Sequence, residues 1–540
     1  MLDLIAFIFA PVLAIFYYLA RMRSPRSSIS VLPGPPSTSV FFGNLLEIFK
    51  HEIGAPHEKW FAEYGPAICF RVWGGATRLA TIDPKALDHI LLKHSYAYPK
   101  PDFLRRILTK TLGEAILSSE GVDHKRQRSL LNPAFSPEHL RAMTPMIYKV
   151  AYQLNEKLHE SVVKVASGSK GNAVIDVLPW LNRATFDIIG LASFGYNFDA
   201  LGKDGKRELA NALLQLSRTG ETIFTSGALK TNFYILKNGF PLLRLFKSEK
   251  EKVIAHSKMV INRETAKALD IARKQGENLE PPNDILSLLI QNRTSEKSQW
   301  EEMDNTELMN QLATFIFAGH ETMGSTVTWC LWCLATHPQA QAKLRAELNE
   351  ANKKINKATG QLSREDLNAL PYLDAVFREG TRLFPIVFFT LRAASHDDQI
   401  PLSKPIRAKS GEWINHIPIS AGQEMAIPIL SYNRSKEVFG NNSNEFVPER
   451  WLSGEVNSPA GTGEWGGSLT FLTGPRTCIA YQLILLEAKV LLYTLITKFK
   501  FEERDQGGGP EIERRGPLLL KPGIKNGSGG ATMPLRVSII

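Results

Sequence analysis

The chain has 540 residues, of which 44% are hydrophobic, and its formal net charge is +10. This length and composition allow a large buried core, and no internal repeat divides the chain. Four cysteines in so long a chain argue against a disulfide framework. The basic excess suits nucleic acid, anionic lipid or an acidic protein as a partner, but no nucleic-acid-binding motif accompanies it.

Residues 4–20 form an apolar run without a charged side chain, and Arg21, Arg23 and Arg26 follow it directly. As a helix this run would be about 26 Å long, which suits the thin bilayer of the endoplasmic reticulum. The basic residues after the run place the bulk of the chain in the cytosol. We therefore predict a transmembrane anchor at residues 1–20. A cleaved signal peptide is disfavoured because the basic residues do not precede the run.

A basic, proline-rich linker is predicted at residues 21–37, with the sequence Leu-Pro-Gly-Pro-Pro at 32–36. Proline fixes its own φ and restricts the residue before it, so we expect a stiff, extended joint. The remaining residues, 38–540, are predicted to form one folded domain.

A basic helix is predicted around His124 and Arg128, between Gly121 and Pro133. Side chains at i and i+4 project from one face of a helix, so both residues can meet the same anionic group. A solvated basic surface is the alternative for His124.

Residues 304–336 have the pattern of a long helix, and Pro338 marks its end. At about 1.5 Å per residue it would span roughly 50 Å. Gly319 and Thr322 are poor helix formers in its middle, so we expect the hydrogen-bond ladder to widen there. A core helix with ordinary polar interruptions is the alternative when the segment is considered alone.

Two other motifs in this helix are rejected. His320-Glu321 begins like the zinc-protease motif H-E-x-x-H, but Gly324 stands where the second histidine is needed. Cys330 and Cys333 have the spacing of a redox pair, yet they lie deep in an apolar run, far from a helix start that lowers a thiol pKa. Packing in the core is predicted for both cysteines.

Glu379 and Arg382 stand three residues apart in a short predicted helix framed by Pro371 and Pro385. Taken alone, such a pair is typical of a solvated surface ion pair. Further along, residues 417–430 are predicted to form one small sheet.

Cys478 follows a glycine turn and an arginine in the sequence Phe-Leu-Thr-Gly-Pro-Arg-Thr-Cys-Ile-Ala, residues 471–480, and precedes a long apolar helical run. A cysteine at a helix amino terminus lies where free N–H groups favour the thiolate, which is the form that binds metal. Gly474 and Pro475 form the expected turn, and Arg476 can meet an anionic cofactor edge such as a haem propionate.

These segments resemble four signatures of the cytochrome P450 family, in the family's order. The resemblance rests on the Cys478 loop, on Ala-Gly-His-Glu-Thr at 318–322, on Glu-x-x-Arg at 379–382 with Phe-Val-Pro-Glu-Arg-Trp at 446–451, and on the helix at 124–128, where histidine replaces the usual tryptophan. Ala480 stands where the family usually has glycine. The resemblance covers nearly everything after residue 32. It implies a mainly α fold with a small β portion, in which 38–540 is a haem-thiolate catalytic domain.

The resemblance also implies roles for particular residues. Cys478 would be the axial ligand of the iron in haem b, pushing electron density onto the metal. Thr322 would hold a proton-donating water network, with Glu321 as the acid that relays protons. The other cofactor-binding residues implied are His124, Arg128, Arg392, Phe471, Gly474 and Arg476. Glu379, Arg382 and Arg450 would form a buried structural network that fixes the cysteine loop.

The implied substrate pocket is apolar, which suits a hydrophobic small molecule. Its residues follow from family position: Phe315, Ala318, Ile386, Val387, Phe388 and Phe389, with Phe103, Leu104, Ile107 and Leu108 in an early loop. Simple core packing is the alternative for each of them. The carboxyl-terminal third resembles fungal, mushroom-type members, which predicts a terpenoid substrate by analogy.

The implied function is a monooxygenase that uses O2 and takes electrons from NADPH through a cytochrome P450 reductase, with cytochrome b5 as a further partner. A basic face containing Lys125, Arg126 and Lys489 is predicted to dock the acidic reductase. The alternatives are a reductase-independent haem-thiolate isomerase or dehydratase and a haem sensor or carrier. Relatives of the first kind commonly lose the threonine present as Thr322, and a carrier has no need of Glu321 and Thr322 together.

Overall fold

The computed structural model describes residues 27–165, 172–202, 249–275, 284–294, 303–355, 360–454, 465–505, 511–516, 518–527 and 530–540, with the single residues 208, 212, 215 and 456. The described α-helices are α1 Leu45–Lys50, α2 Ala55–Tyr64, α3 Pro84–Asp88, α4 Asp102–Leu112, α5 Gly121–Leu131, α6 Pro137–Val165, α7 Leu178–Phe194, α8 Glu249–Gln275, α9 Ile285–Thr294, α10 Asn305–Thr336, α11 Pro338–Asn352, α12 Arg364–Asn368, α13 Pro371–Leu383, α14 Ile429–Asn433, α15 Lys436–Phe439 and α16 Tyr481–Ile496.

The described strands are β1 Ala67–Arg71, β2 Thr77–Thr81, β3 Asn172–Asp176, β4 Thr390–Ala393, β5 Asp398–Arg407, β6 Trp413–Ile419, β7 Glu424–Ile427, β8 Phe499–Glu503, β9 Ile512–Arg515, β10 Lys521–Ile524 and β11 Pro534–Ile539. Helices therefore dominate the described part of the chain, as the resemblance predicts.

The largest described sheet has the strand order β1-β2-β7-β4. β2 and β7 are parallel, with Leu79 opposite Met425, while β4 runs antiparallel to β7 with Arg392 opposite the same methionine. β3, β11 and β8 form a second antiparallel sheet, and β5-β6 and β9-β10 are two-stranded. The two strand-like stretches predicted at 417–430 are present as the end of β6 and as β7, but the prediction that they share one small sheet is wrong. β7 has β2 on one edge and β4 on the other, and β6 pairs with β5 instead.

The long helix predicted from the sequence is α10, which packs along α7, α13 and α16 in the main hydrophobic cluster. Asp304 caps its start by accepting a hydrogen bond from the Glu307 N–H at 2.7 Å. The predicted widening near Gly319 is wrong, because α10 is helical throughout. The hydroxyl of Thr322 donates to the Ala318 carbonyl at 2.5 Å, so this polar side chain is satisfied within the helix.

Core packing of the two cysteines in α10 is confirmed. Cys330 and Cys333 are buried. Burial raises the pKa of the Cys330 thiol to about 12 and also raises the pKa of Cys333 well above its ordinary value. Neither thiol is therefore ionised at neutral pH.

The predicted anchor at residues 1–20 and the first part of the linker lie outside the described residues. Within the described ranges, no helix combines the length and apolar character needed to cross a bilayer. The rest of the predicted linker packs on the domain, with Ile29 and Leu32 fully buried. The Cys69 N–H donates to the Pro33 carbonyl at 2.9 Å. Residues 27–37 therefore belong to the folded body.

The early pocket segment at 103–108 was predicted as a loop, but it lies in α4. Leu104, Leu108 and Leu112 are spaced by four residues, which is the spacing of one helix face. Phe103 and Leu104 pack on the hydrophobic cluster that includes Trp60. The loop prediction is wrong because this spacing favours a helix.

Candidate functional site

The loop before Cys478 is held in one conformation by its neighbours. Gly474 has a φ of +72°, and a Cβ at this position would lie 2.3 Å from the carbonyl oxygen of Leu91. Only glycine fits such a conformation and such a close approach without strain. The Cys478 N–H donates to the Phe471 carbonyl at 2.9 Å, which closes the loop. α16 begins at Tyr481, three residues after the cysteine.

The Cys478 thiol is partly accessible, unlike the other three cysteines of the chain. Burial raises its pKa, while the Ala480 N–H and the charge of Arg128 act in the opposite direction. Ala480 itself has φ −90° and ψ 10°, which any residue adopts. Alanine in place of the family's usual glycine is therefore compatible with this backbone.

Arg476 is held above the ring of Tyr96, with its guanidinium carbon 4.8 Å from the ring centroid. One terminal nitrogen donates to the Ser95 carbonyl at 2.6 Å, and the other contacts the Glu120 carboxylate. The Nε atom is buried and has no hydrogen-bond partner in the described part of the chain. A buried donor left in this state is costly, so it marks a place where an acceptor from outside the chain fits.

His124 and Arg128 lie one turn apart on α5, as predicted. Nδ1 of His124 lies 3.0 Å from the Tyr96 hydroxyl, and a terminal nitrogen of Arg128 donates to the Thr477 carbonyl at 2.6 Å. Burial, followed by the charge of Lys100, lowers the pKa of His124 to about 4. His124 is therefore neutral at pH 7, and α5 contacts the cysteine loop through Arg128.

Arg392 lies on β4 and is buried. Its terminal nitrogen donates to the Thr390 hydroxyl at 2.8 Å and to the Leu391 carbonyl at 2.7 Å. Burial and the positive charge of Arg476 lower the pKa of Arg392 to about 10. The site therefore holds two buried guanidinium groups that repel each other.

Sequence reasoning missed Lys100 and Glu120. The Lys100 ammonium lies 3.0 Å from the Glu120 carboxylate, which also accepts the Lys100 N–H. Burial lowers the pKa of Lys100 to about 8. Burial raises the pKa of Glu120, but Lys100 and Arg476 outweigh it and bring the value down to about 2. We call Lys100, Arg128, Arg392, Arg476 and Glu120 the basic cluster.

Glu379, Arg382 and Arg450 meet as predicted, and we call them the glutamate network. Both oxygens of Glu379 accept from Arg382 at 2.8 Å, and Arg450 adds a further bond at 2.8 Å. The Trp451 indole N–H also donates to Glu379 at 2.9 Å, a contact that the sequence did not suggest. Burial raises the pKa of Glu379, but these bonds and charges lower it overall.

The glutamate network reaches the cysteine loop through Asn433. Arg382 donates to the Asn433 carbonyl at 2.7 Å. The Asn433 side chain then accepts from the Leu469 N–H at 2.9 Å and donates to the Thr470 hydroxyl at 3.0 Å. Thr470 directly precedes Phe471, so the network positions the chain that enters the loop.

The middle of α10 carries the predicted proton-relay residues. Thr322 is half-buried, and its neighbour Glu321 is buried. The Glu321 carboxylate contacts the ammonium of Lys521, which comes from β10. A Cβ on Gly319 would lie 2.7 Å from the side chain of Ile189, so this glycine permits the close packing of α10 on α7.

The predicted pocket residues differ in exposure. Ala318 is exposed although residues 311–316 before it are buried, and Val387 is also exposed. Phe388 and Phe389 are half-buried, with ring centroids 4.9 Å apart. The remaining two predicted residues, Phe315 and Ile386, are buried, and Phe315 packs edge-on against Phe135.

Haem fits these residues. Cys478 has a partly accessible sulfur in a fixed loop. The basic cluster contains four cationic side chains and only one carboxylate, that of Glu120, so it has an excess of positive charge. The unpartnered Nε of Arg476 lies within that cluster. Cys478 would hold the iron, and His124, Arg128, Arg392 and Arg476 would hold the propionates.

The predicted docking face needs a correction at Lys489. This lysine is buried, and its ammonium lies 2.9 Å from Asp374 and 3.0 Å from the Asn368 side chain. It therefore supports the packing of α16 on α13 and is not available at the surface. Arg126 is bound to Glu307 at 2.7 Å, while Lys125 is exposed beside the Tyr96 ring.

Comparison with known proteins agrees with this geometry. A family model described as "Cytochrome P450" matches residues 33–526. "Cytochrome P450 monooxygenase 128" of Postia placenta is 36% identical over 95% of this chain and 93% of its own length. "Cytochrome P450 monooxygenase 205" of the same fungus is 37% identical over 88% and 87%. "Cytochrome P450 monooxygenase claP" of Ampulloclitocybe clavipes is 33% identical over 95% and 94%.

Proposed function

Because the chain belongs to the cytochrome P450 family, whose members use haem-thiolate, O2 and electrons from NAD(P)H, we propose that it hydroxylates a hydrophobic small molecule with electrons from an NADPH-dependent reductase. The observation that carries the proposal is the partly accessible thiol of Cys478 next to the basic cluster, in which the Nε of Arg476 lacks a partner among the described residues.

The chain's own residues prepare the cofactor site. The Gly474 turn and the bond between Cys478 and Phe471 hold the sulfur in place, and the Ala480 N–H favours its anionic form. Haem bound to this sulfur supplies the iron at which oxygen is activated. The guanidinium groups of Arg392 and Arg476 bind carboxylates strongly because both partners are charged.

We assign proton handling to Glu321 and Thr322. The Thr322 hydroxyl uses its proton in the bond to the Ala318 carbonyl, so its oxygen remains an acceptor that can hold a water molecule. Glu321 is the adjacent carboxylate and can pass protons to that water. This assignment supports a monooxygenase rather than a carrier, which needs no proton supply.

The apolar side chains of Ala318, Val387, Phe388 and Phe389 support a hydrophobic substrate. The terpenoid assignment rests on the resemblance of the carboxyl-terminal third to mushroom-type members.

We also propose that residues 1–20 anchor the protein in the endoplasmic reticulum membrane with the domain in the cytosol. The basic residues Arg21, Arg23 and Arg26 directly after this segment support the orientation. The exposed Lys125 supports docking of the acidic reductase or cytochrome b5.

The test is Cys478→Ser in the full-length protein, with Cys69→Ser as a matched control at a buried cysteine outside the site. We expect Cys478→Ser to abolish the absorption band of the reduced, carbon-monoxide-bound thiolate form and all NADPH-dependent product formation, while Cys69→Ser retains both. Products are measured with purified reductase and a panel of terpenoids and fatty acids. Product formation without NADPH or reductase would favour an isomerase or dehydratase, and an intact spectrum in Cys478→Ser would refute the proposal.

A further inference from the structure

Lys521 is a buried lysine that contacts the proposed proton-relay acid. It is the first residue of β10, and its ammonium lies against the Glu321 carboxylate in the middle of α10. Both side chains are at most one-tenth exposed. The pair joins two parts of the chain that are 200 residues apart.

The backbone around Lys521 is fixed without help from the ion pair. The Leu520 N–H donates to the Ile386 carbonyl at 2.8 Å, and the Leu520 carbonyl accepts from the Trp329 indole at 3.3 Å. On the other side, the Thr532 N–H donates to the Pro522 carbonyl at 3.0 Å. These bonds fix the backbone on both sides of Lys521. The β9-β10 hairpin is therefore held in place without the ion pair of the Lys521 ammonium.

The other charged groups near Glu321 have different roles. His320 is half-buried, and desolvation lowers its pKa, so it is neutral at pH 7. From α7, Thr185 donates to the His320 carbonyl at 2.6 Å, Asp187 accepts from backbone N–H groups, and Arg183 stacks over a tryptophan ring. Lys521 supplies a positive charge in direct contact with this carboxylate.

A buried ion pair is a weak way to stabilise a fold, because the desolvation of two charges offsets much of their attraction. An apolar pair would hold α10 and β10 together equally well. The presence of charges at this point, next to Thr322, indicates a role in the chemistry of the site.

We propose that Lys521 is a positioning residue that fixes the orientation and the ionised form of the Glu321 carboxylate, so that the β9-β10 hairpin controls proton delivery along α10. The inference rests on the proposed function, in which Glu321 relays protons. Glu321 takes a proton from solvent, forming an O–H bond, and gives it to the water held at Thr322. That water passes one of its own protons onward into the site, so the carboxylate and the water are both restored. The Lys521 ammonium keeps its protons throughout.

The experiment compares Lys521→Met and Lys521→Arg in the haem-loaded, full-length protein. Lys525→Met is the matched control, because Lys525 lies on the same hairpin but pairs with Glu511 at the surface. The titration of Glu321 is followed by infrared difference spectra against Glu321→Gln. We expect Lys521→Met to move its midpoint to higher pH by about 1 to 3 units, and Lys521→Arg and Lys525→Met to leave it near the parent value.

A second measurement is NADPH oxidation with purified reductase. We expect it to fall about tenfold in Lys521→Met and to be largely restored in Lys521→Arg. In a Glu321→Gln background, Lys521→Met should have no additional effect, because both changes act on one carboxylate. If Lys521→Met does not fold, Lys521→Gln carries the same test.

An unchanged titration midpoint in Lys521→Met would overturn the inference, and so would an additional loss in the Glu321→Gln background. Failure of the proposed function looks different: Glu321→Gln itself would then oxidise NADPH at the parent rate. The infrared midpoint would still report whether Lys521 controls the carboxylate.

Discussion

The glutamate network and the basic cluster are both rich in buried arginine, but their charges are balanced in different ways. The Glu379 carboxylate accepts hydrogen bonds from Arg382 and Arg450. The other N–H groups of these two arginines donate to backbone carbonyls, among them those of Ser443 and Phe439. In the basic cluster the carboxylate of Glu120 pairs with Lys100 and Arg476, while the other two arginines bond to neutral oxygens. The Nε of Arg476 has no partner within the described residues.

The difference separates arginines that stabilise the fold through contacts within the protein from arginines that are placed to bind an anionic ligand. A network whose donors are all used belongs to the fold, and it should be needed with or without cofactor. A cluster with excess positive charge and a free buried donor is less stable alone and gains stability when an anion binds. The two regions should therefore respond in opposite ways to removal of one charge.

The largest effect is expected from Glu379→Ala. This change leaves two buried arginines without their counter-ion, so we expect the free energy of unfolding to fall by about 3 to 5 kcal/mol. Urea unfolding of the haem-loaded and haem-free proteins should show a similar loss in each. A loss confined to the haem-loaded form would place Glu379 with the basic cluster instead.

Arg392→Leu should produce a smaller effect, with opposite signs in the two forms. The haem-free protein should unfold at the same or a higher urea concentration, because a buried charge repelled by Arg476 is removed. Haem should dissociate about tenfold to a hundredfold faster, as expected for one lost charged hydrogen bond. Transfer of haem to apomyoglobin measures this rate.

The matched control for that change is Arg345→Leu. Arg345 donates to the carbonyls of Ile496 and Phe499 and lies outside the site. It should destabilise the haem-free protein and leave the haem dissociation rate unchanged. Faster haem loss in this control would show that general loosening explains the Arg392 result.

The smallest effect concerns pH in the haem-free protein. The pKa of His124 is lowered from 6.5 to about 4, so between these values the unfolded chain binds a proton that the folded chain does not. Stability should therefore fall as pH drops through this window. The pKa of Glu379 is lowered as well, so its contribution is complete above about 4.5 and is lost only at more acidic pH.

His124→Gln removes the first of these two titrations. Urea unfolding at pH 7 and pH 5 should then show less acid destabilisation than the parent, while His416→Gln, at an exposed strand position, should behave as the parent does. Equal acid sensitivity in the parent and in His124→Gln would contradict the assignment.

Local patterns in the sequence predicted much of this molecule. The bounds of α10 follow from Asp304 and Pro338, and the short helix with Glu379 and Arg382 follows from its framing prolines. The roles of Arg450 and of the cysteine loop came from family spacing. These signals involve residues that are close together in the sequence, so they can be recognised without knowing the fold.

Contacts between distant residues could not be predicted in this way. Lys521 meets Glu321, and Lys100 meets Glu120, only because the fold brings them together. The error at Lys489 has a related cause. α16 is buried on nearly every side, so its apolar pattern does not reveal which polar residue faces the surface and which is paired inside.

The pairing of Arg476 with Glu120 has a consequence for biosynthesis. These residues are 356 positions apart, and Cys478 follows Arg476 closely. Contacts between residues so far apart in the sequence form slowly during folding. This contact can form only after almost the whole polypeptide has emerged from the ribosome. We therefore expect haem to bind late, after translation has passed the cysteine, and a nascent chain truncated before Cys478 should leave the ribosome without haem.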